Sequence, residues 1–184
     1  MTRDYRGVKP RVHASSFVAE TAVIIGDVHV GEESSIWYNT VIRGDVNQIR
    51  IGSGSNIQDM CVLHVTGAKG KGEEGHPLYI GSDVTVGHAV TLHGCTIEDG
   101  AFIGMNAVIL DGCRVCRGAM VAAGSLLTPG TFVPEGTLWM GAPAKFKRNL
   151  SDEERSKMTR TAAGYRELAA NYRGNAPLPE GDLP

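Results

Sequence analysis

Aliphatic residues recur at every sixth position over most of the chain. The period holds within four runs that are separated by short slips, at Val12, Val18, Ile24, Val30, Ile36, Ile42, Ile51, Ile57, Leu63, Ile80, Val86, Leu92, Ile97, Ile103, Ile109, Val115, Val121, Leu127 and Val133. A period of six matches neither the 3.6-residue helix nor the alternation of a plain strand. It is typical of a parallel β-helix, in which each repeat supplies one short strand and one turn. The pattern therefore predicts an all-β solenoid of hexapeptide repeats.

Two interruptions break this repeat, and a helical pattern follows it. The first interruption is 44–50, and the second, 66–78, is Gly-rich and charged, which predicts a protruding loop. Ser151 and Glu154 then form a capping box before apolar residues at helical spacing, which predicts an amphipathic helix against the β-helix or a neighbouring subunit. The predicted division is a lead-in over 1–10, the β-helix over 11–148, the helix over 149–174 and a flexible tail over 175–184.

Composition excludes several classes of protein. The 184 residues carry a net charge of −2, which gives no sign of a nucleic-acid binder or a membrane-surface binder. No apolar run reaches the roughly 18 residues of a membrane span, and the first residues do not form a signal peptide, so we expect a cytoplasmic protein. Three of the four cysteines occupy an inward, small-residue position of the repeat. Cys113 and Cys116 should point in opposite directions, which argues against a paired redox or metal role.

Stacking the repeats brings distant polar residues together. If three repeats make one triangular coil, equivalent positions in successive coils lie about 4.8 Å apart. The residues after Leu63 and Leu92 are His64 and His93, which should face outward one rung apart. Each of the three repeats in a coil starts a column of stacked, equivalent positions. In a different column from His64 and His93, Asp59 and His88 also lie one rung apart, each two residues past an aliphatic position.

This arrangement predicts a metal site shared between subunits. Two imidazoles one rung apart can bind one metal ion, since metal–nitrogen bonds are about 2.0–2.1 Å long. His88 lies in a different column and is poorly placed to join His64 and His93 within one chain. A neighbouring subunit can supply it, and a closed ring of three subunits satisfies every subunit alike, which predicts a homotrimer. The alternative is that these histidines are solvated surface residues, which is our interpretation of the other three histidines.

The chain also resembles a known family, the γ-class carbonic anhydrases and their bacterial relatives. The resemblance covers nearly the whole chain and rests on the strings IRGD (42–45), NIQD (56–59), VLH (62–64), VTVGHAVTLHGC (84–95) and GAPAK (141–145). It implies a left-handed parallel β-helix and a trimer. It also implies that His64 and His93 are metal ligands from one subunit and that His88 is the ligand from its neighbour.

The resemblance implies roles for five further residues. Arg43, Asp45 and Asp59 match a charged network near the subunit contact, which serves either the chemistry or only the stability of the trimer. Gln58 matches a glutamine beside the metal-bound solvent. Tyr165, on the predicted helix, matches a tyrosine that many relatives place near the site.

The implied activity is the reversible hydration of CO₂ to bicarbonate. Three neutral imidazoles leave a divalent metal with its full charge and an open position, so that a bound water becomes hydroxide at neutral pH and attacks CO₂. Zn²⁺ is the expected cofactor, and Fe²⁺ or Co²⁺ also suits three histidines. Gln58 would orient the hydroxide or the bicarbonate.

The proton route differs from that of the family. The best-studied active members use a glutamate within an acidic insert, but here Val46 and Asn47 stand at that place and the insert is missing. Glu73, Glu74 and His76, in the loop after His64, offer a replacement relay or form only a solvated loop.

This departure leaves other functions open. A metal hydroxide also attacks thioesters, so a metal-dependent acyl-CoA thioesterase is one alternative. A catalytically weak, metal-stabilised trimeric scaffold is another. Hexapeptide acyltransferases share the fold, but they usually require one catalytic histidine as a base and not three converging ones.

Overall fold

Most of the hexapeptide repeats form strands of only two or three residues. The computed structural model describes residues 1–70 and 74–174, so Glu73 and the predicted tail 175–184 lie outside the described residues. Within the described part, the elements in chain order are β1 Thr2–Arg3, β2 Arg11–Val12, β3 Phe17–Val18, β4 Val23–Val30, β5 Ser35–Ile36, β6 Val41–Ile51, β7 Asn56–Ile57, β8 Val62–His64, β9 Leu78–Ile80, β10 Thr85–Val86, β11 Thr91–His93, β12 Thr96–Ile97, β13 Phe102–Ile103, β14 Val108–Ile109, β15 Arg114–Val115, β16 Met120–Val121, β17 Leu126–Leu127, β18 Phe132–Val133, β19 Thr137–Gly141, β20 Ala144–Asn149 and α1 Asp152–Gly174.

The strand pairings confirm the predicted parallel β-helix with three repeats in each coil. Column 1 aligns the aliphatic residues Val12, Val30, Ile51, Ile80, Ile97, Val115 and Val133. Column 2 aligns Val18, Ile36, Ile57, Val86, Ile103 and Val121. Column 3 aligns Ile24, Ile42, Leu63, Leu92, Ile109 and Leu127. Nearly all of these side chains are buried in one continuous core, because every sixth residue points into the triangle.

The first predicted interruption is a bulge within a continuous strand and not a break. Strand β6 runs through it, pairing Gly44 with Gly26 and then Ile49 with Val28 of β4. Residues 45–48 of β6 lie opposite Asp27 alone, so three extra residues form a bulge, which bends the strand and re-aims its side chains. The bulge carries Asp45 towards the outer face of column 3.

Both ends of the β-helix carry strands that the repeat does not indicate. The predicted lead-in contains β1, which pairs in parallel with β4. At the other end, β19 pairs in parallel with β16 and antiparallel with β20, so the last part of the predicted β-helix is a hairpin. These strands cover edges that would otherwise offer unpaired backbone groups to another chain.

The helix packs on the chain's own β-helix, along the face of column 2. It contacts β3, β5, β7 and β10, and buries Met158, Ala162 and Ala169. The predicted capping box is confirmed: the Ser151 amide donates to Oε2 of Glu154 at 2.9 Å, and the Glu154 amide donates to Oγ of Ser151 at 3.2 Å. In the described residues, no helix combines the length and the apolar character that crossing a bilayer requires.

The cysteines are core residues. Cys61, Cys95 and Cys113 lie inside the β-helix, as predicted, and burial raises the pKa of Cys61 to about 12. Cys116 lies outside the main apolar cluster but is also almost fully covered. All four are free thiols, so Cys113 and Cys116 form no disulfide.

Candidate metal centre

Two histidines face each other on the outer side of column 3. His64 ends β8 and His93 ends β11, and the two residues are paired in register. Their inward neighbours Leu63 and Leu92 are completely buried, and alternation along each strand turns the imidazoles outward. Nδ1 of His64 lies 3.1 Å from Nε2 of His93.

A carboxylate holds the far nitrogen of each ring. Nε2 of His64 lies 3.1 Å from Oδ1 of Asp45, and Nδ1 of His93 lies 2.7 Å from Oδ1 of Asp111. A carboxylate can only accept, so in the neutral form each ring donates its one N–H group to its own carboxylate. In that tautomer the two nitrogens that face each other both present lone pairs, which is the form that binds a metal ion.

The third predicted ligand, His88, lies at a corner of the β-helix, after β10. Its Nδ1 is 2.7 Å from Oδ2 of Asp59, which follows β7 one rung away. In the part of the chain that the structure describes, no group of three histidine, cysteine or acidic side chains is arranged to hold a metal ion. The assignment of His88 to a shared site thus stays a prediction that depends on a second subunit.

The donor set of His64 and His93 fits a divalent transition metal. Two nitrogens 3.1 Å apart, each about 2.05 Å from one ion, would subtend about 100° at that ion, close to a tetrahedral angle. Metal-binding histidines usually donate their other N–H group to a carboxylate, which fixes the tautomer and the ring orientation. His88 has the same kind of partner in Asp59. Imidazole nitrogens suit Zn²⁺, Fe²⁺ and Co²⁺.

The carboxylates beside the histidine pair are ionised acceptors. Burial raises the pKa of Asp45, but hydrogen bonds from Arg43 and His64 outweigh burial and leave that pKa below its ordinary value. Burial also raises the pKa of Asp111, but hydrogen bonds from Thr66 and His93 outweigh burial and leave that pKa below its ordinary value. Both groups therefore remain carboxylates at neutral pH and can hold the N–H groups of the rings.

Comparison with known proteins points to one family. The chain is 50% identical over 160 residues to "Gamma carbonic anhydrase 1, mitochondrial" of Arabidopsis thaliana. The matched region covers 87% of this chain but only 58% of that protein. It is 43% identical over 173 residues to "Carbonic anhydrase" of Geobacillus kaustophilus, covering 94% of this chain and 91% of that protein. This chain belongs to the γ-class carbonic anhydrase family.

Other similarities of this γ-class family member reflect its repeats. The model of the bacterial transferase hexapeptide (six repeats) matches residues 94–129. A solved structure described as a hexapeptide transferase family protein from Anaplasma phagocytophilum has a TM-score of 0.87 and 43% sequence identity, and covers 94% of this chain and 98% of that one. Since many functions share this fold, the structural similarity supports the architecture more strongly than the chemistry.

Gln58 and Tyr165, whose roles the family resemblance implies, lie on the side of the β-helix that carries His88. Gln58 is buried next to Asp59, and its amide donates to Oδ1 of Asn56 at 3.0 Å. The ring of Tyr165 packs edge-on against Trp37, with centroids 5.6 Å apart. Burial and the charge of Asp59 raise the pKa of Tyr165. Among the described residues of one chain, neither side chain is hydrogen-bonded to the histidine pair.

Arg43 pairs with a residue of its own strand. Its Nη1 donates to Oδ2 of Asp45 at 2.7 Å. We also expect Arg43 to bridge Asp59 of the partner subunit and so to hold the two columns in register, a prediction that needs the second subunit. The contact with Asp45 does show how Arg43 acts on the site: it orients the carboxylate that in turn holds His64.

Two of the three predicted relay residues lie close to the site. Glu74 and His76 line a cleft together with Thr66, Lys69 and Asp111. His76 is near enough to Asp111 for its charge to lower the pKa of that carboxyl. Because Asp111 also bonds His93, the cleft adjoins the histidine pair directly. Glu73 lies outside the described residues, so its predicted role is not examined by the structure.

The sequence interpretation missed Asp111 and Thr66. Asp111 lies two residues past Ile109, at the turn position that Gly94 occupies one coil earlier, and it belongs to none of the motifs quoted above. A usable signal was Gly94 directly after His93, because glycine leaves room for a group to approach the ligand closely.

Proposed function

We propose that this protein is a metal-dependent carbonic anhydrase that hydrates CO₂ reversibly at sites shared between the subunits of a homotrimer. The observation that carries the proposal is the pair of free ring nitrogens of His64 and His93, 3.1 Å apart, each ring held by a carboxylate. Membership of the γ-class family supports the same chemistry. His88 would complete the ligand set from the adjacent subunit, and Zn²⁺ is the first choice of metal, with Fe²⁺ or Co²⁺ as alternatives.

Exposed apolar side chains around the histidines support a subunit contact there. Met60 follows Asp59 at the corner that carries His88, and Met105 lies one rung beyond His88; they are 63% and 51% exposed. On column 3, Val62 is two residues before His64 and is 47% exposed. Burying these apolar groups against each other would bring the His88 corner of one subunit to the His64 face of the next.

The residues of the chain have separate tasks in this mechanism. When bound, a divalent ion in such a site lowers the pKa of coordinated water to about 7 and supplies hydroxide at neutral pH. Asp45, Asp59 and Asp111 would hold one ring nitrogen of each of the three histidines, which fixes the ring orientation and leaves the other nitrogen to face the metal. Arg43 keeps Asp45 ionised and in place. From the partner subunit's side, the Gln58 amide is the polar group available to orient CO₂ or bicarbonate.

The cleft beside Asp111 offers a path for the proton. Fast turnover requires that a proton leave the site in each cycle, and the glutamate of the family is replaced here by Val46 and Asn47. We assign this task to His76 and Glu74, which line the cleft and are exposed to solvent at one end. Histidine is suited to it because its ordinary pKa lies near neutral pH.

Stopped-flow CO₂ hydration tests the proposal. The protein would be loaded with Zn²⁺, or anaerobically with Fe²⁺, and its metal content quantified before the assay. We expect a rate well above that of the buffer, which disappears in His88→Ala. A fully loaded trimer without such a rate would refute the proposed activity.

Two other functions remain as outcomes of the same experiment. A loaded but inactive protein would next be assayed with a panel of acyl-CoA thioesters, since hydroxide also attacks a thioester carbonyl. Absence of both activities would favour a metal-stabilised trimeric scaffold. The cytoplasmic location stays a prediction, and three relatives from Arabidopsis thaliana are named mitochondrial.

A further inference from the structure

A chain of hydrogen bonds joins His93 to the base of the 66–78 loop. Asp111 accepts from Nδ1 of His93 through Oδ1, at 2.7 Å, and from the hydroxyl of Thr66 through Oδ2, at 2.7 Å. Each carboxylate oxygen thus has a different partner, which fixes both the position and the rotation of the carboxylate. Such a doubly held carboxylate restricts the imidazole to one tautomer and one ring orientation.

The residue after the ligand leaves space for this carboxylate. Gly94 has a φ of +54°, in the left-handed region that favours glycine. A Cβ atom at Gly94 would overlap Oδ1 of Asp111 and crowd the Cβ of His76. The local backbone is therefore shaped for the approach of Asp111 to His93.

Thr66 is itself rigidly placed. Its backbone forms both hydrogen bonds of an antiparallel bridge with His76, at 3.0 and 2.9 Å. The side-chain amide of Asn47 donates to the carbonyl oxygens of Thr66 and Glu74, at 3.0 and 2.9 Å, and so ties the two ends of the loop together. The closed base of the loop thereby sets the position of the Thr66 hydroxyl.

We infer that Asp111 is a positioning residue for the metal ligand His93, and that Thr66 makes metal affinity depend on the closed base of the 66–78 loop. The inference deepens the proposed function and rests on it for the metal. Asp111 acts by holding Nδ1–H of His93. Nε2 of His93, which faces Nδ1 of His64, then keeps its lone pair for a shared metal ion. The base of the loop, where Thr66 pairs with His76, is then a structural part of the metal centre.

Metal affinity and the histidine tautomer test this inference together. Zn²⁺ affinity would be measured by competition with a chromophoric chelator, and the ring nitrogens of His93 would be observed by ¹⁵N NMR in the metal-free protein. We expect Asp111→Ala to weaken Zn²⁺ binding about 10- to 100-fold. It should also allow the proton of His93 to exchange between Nδ1 and Nε2. Thr66→Val should likewise weaken Zn²⁺ binding and allow the His93 proton to exchange between Nδ1 and Nε2.

Matched variants separate positioning from general damage. Thr66→Ser keeps the hydroxyl and should restore affinity to within about twofold of the original protein. Asp99→Ala removes a carboxylate that accepts from the Ser82 amide and pairs with Arg117, away from the histidines, and should leave Zn²⁺ affinity unchanged.

Two results would separate the possible failures. Unchanged Zn²⁺ affinity and an unchanged His93 tautomer in both Asp111→Ala and Thr66→Val would overturn the inference. If the original protein binds no Zn²⁺, the proposed metal centre fails. The NMR comparison would still decide whether Asp111 fixes the His93 ring.

Discussion

Mixing two inactive variants would show whether each metal site is shared between subunits. His88→Ala keeps the histidine pair on column 3 but removes the ligand at the corner. His93→Ala keeps the corner ligand but breaks the pair. Because the structure places the pair and His88 on different columns of one chain, the two variants should be able to complete each other's sites.

The expected recovery follows from the directional contact. In a ring of three, each site takes the pair from one subunit and His88 from the next. A trimer that contains both variants then has one complete site, whichever variant is in excess. At random equal mixing about three quarters of the trimers are mixed, so the preparation should regain about one quarter of the original metal sites and of the CO₂ hydration rate.

The assay would use co-expressed variants with two different affinity tags. Native mass spectrometry gives the subunit composition, and elemental analysis gives the metal per trimer. A mixture of His64→Ala with His93→Ala is the matched control. Each of those subunits lacks half of its own pair, so no arrangement yields a complete site. Verified mixed trimers of His88→Ala with His93→Ala that bind no more metal than this control would refute the shared site.

Three further outcomes are expected. His76→Ala should lower CO₂ hydration by up to about 100-fold at low buffer concentration, and added imidazole should restore much of the rate; an unchanged rate at low buffer would exclude His76 as the relay. Ile103→Ala, at a completely buried position of column 2, should lower the free energy of unfolding by about 2–5 kcal/mol in urea titrations at fixed protein concentration. Hydrogen bonding from Arg148, then from the Ser151 amide, lowers the pKa of Glu154 to about 2 from its usual 4.5. The contribution of the ionised Glu154 side chain to the stability of the fold is therefore full above about pH 4.5 and is lost as the pH falls towards 2. Glu154→Gln should accordingly destabilise the protein at pH 7, and the difference should shrink in urea titrations near pH 3.

The sequence was sufficient to predict the relations that depend only on the period. Parallel in-register pairing stacks equivalent residues one rung apart, so His64 and His93 had to meet once three repeats made a coil. The same rule brought Asp59 next to His88. Neither inference needed the detailed path of the turns, because strand alternation alone decides which side chains face outward.

Relations that depend on departures from the period could not be predicted in this way. A bulge and a loop both appear as extra residues between repeats, and only the pairing of Gly44 and Ile49 with β4 shows that 44–50 stays within a strand. Asp111 reaches His93 from a turn, where side-chain direction depends on local backbone angles and on the space left by Gly94. The end strands β1 and β20 lie outside the six-residue repeat, so the period gives no sign of them.

One residue, Asn47, links the bulge of β6 to the base of the 66–78 loop. The bulge of β6 supplies Asp45 to His64, and two residues later it supplies Asn47 to the base of the 66–78 loop. Asn47, which stands where the family resemblance implies a proton-transferring glutamate, therefore has a structural task in this chain. Asn47 helps to close the base of the loop, where His76 pairs with Thr66 and lines the cleft beside Asp111. A glutamate could not replace Asn47 here, because a carboxylate cannot donate to the two carbonyl oxygens that Asn47 bridges. In the proposed mechanism, the position of the relay residue His76 therefore depends on Asn47, through the base of the loop that Asn47 holds closed.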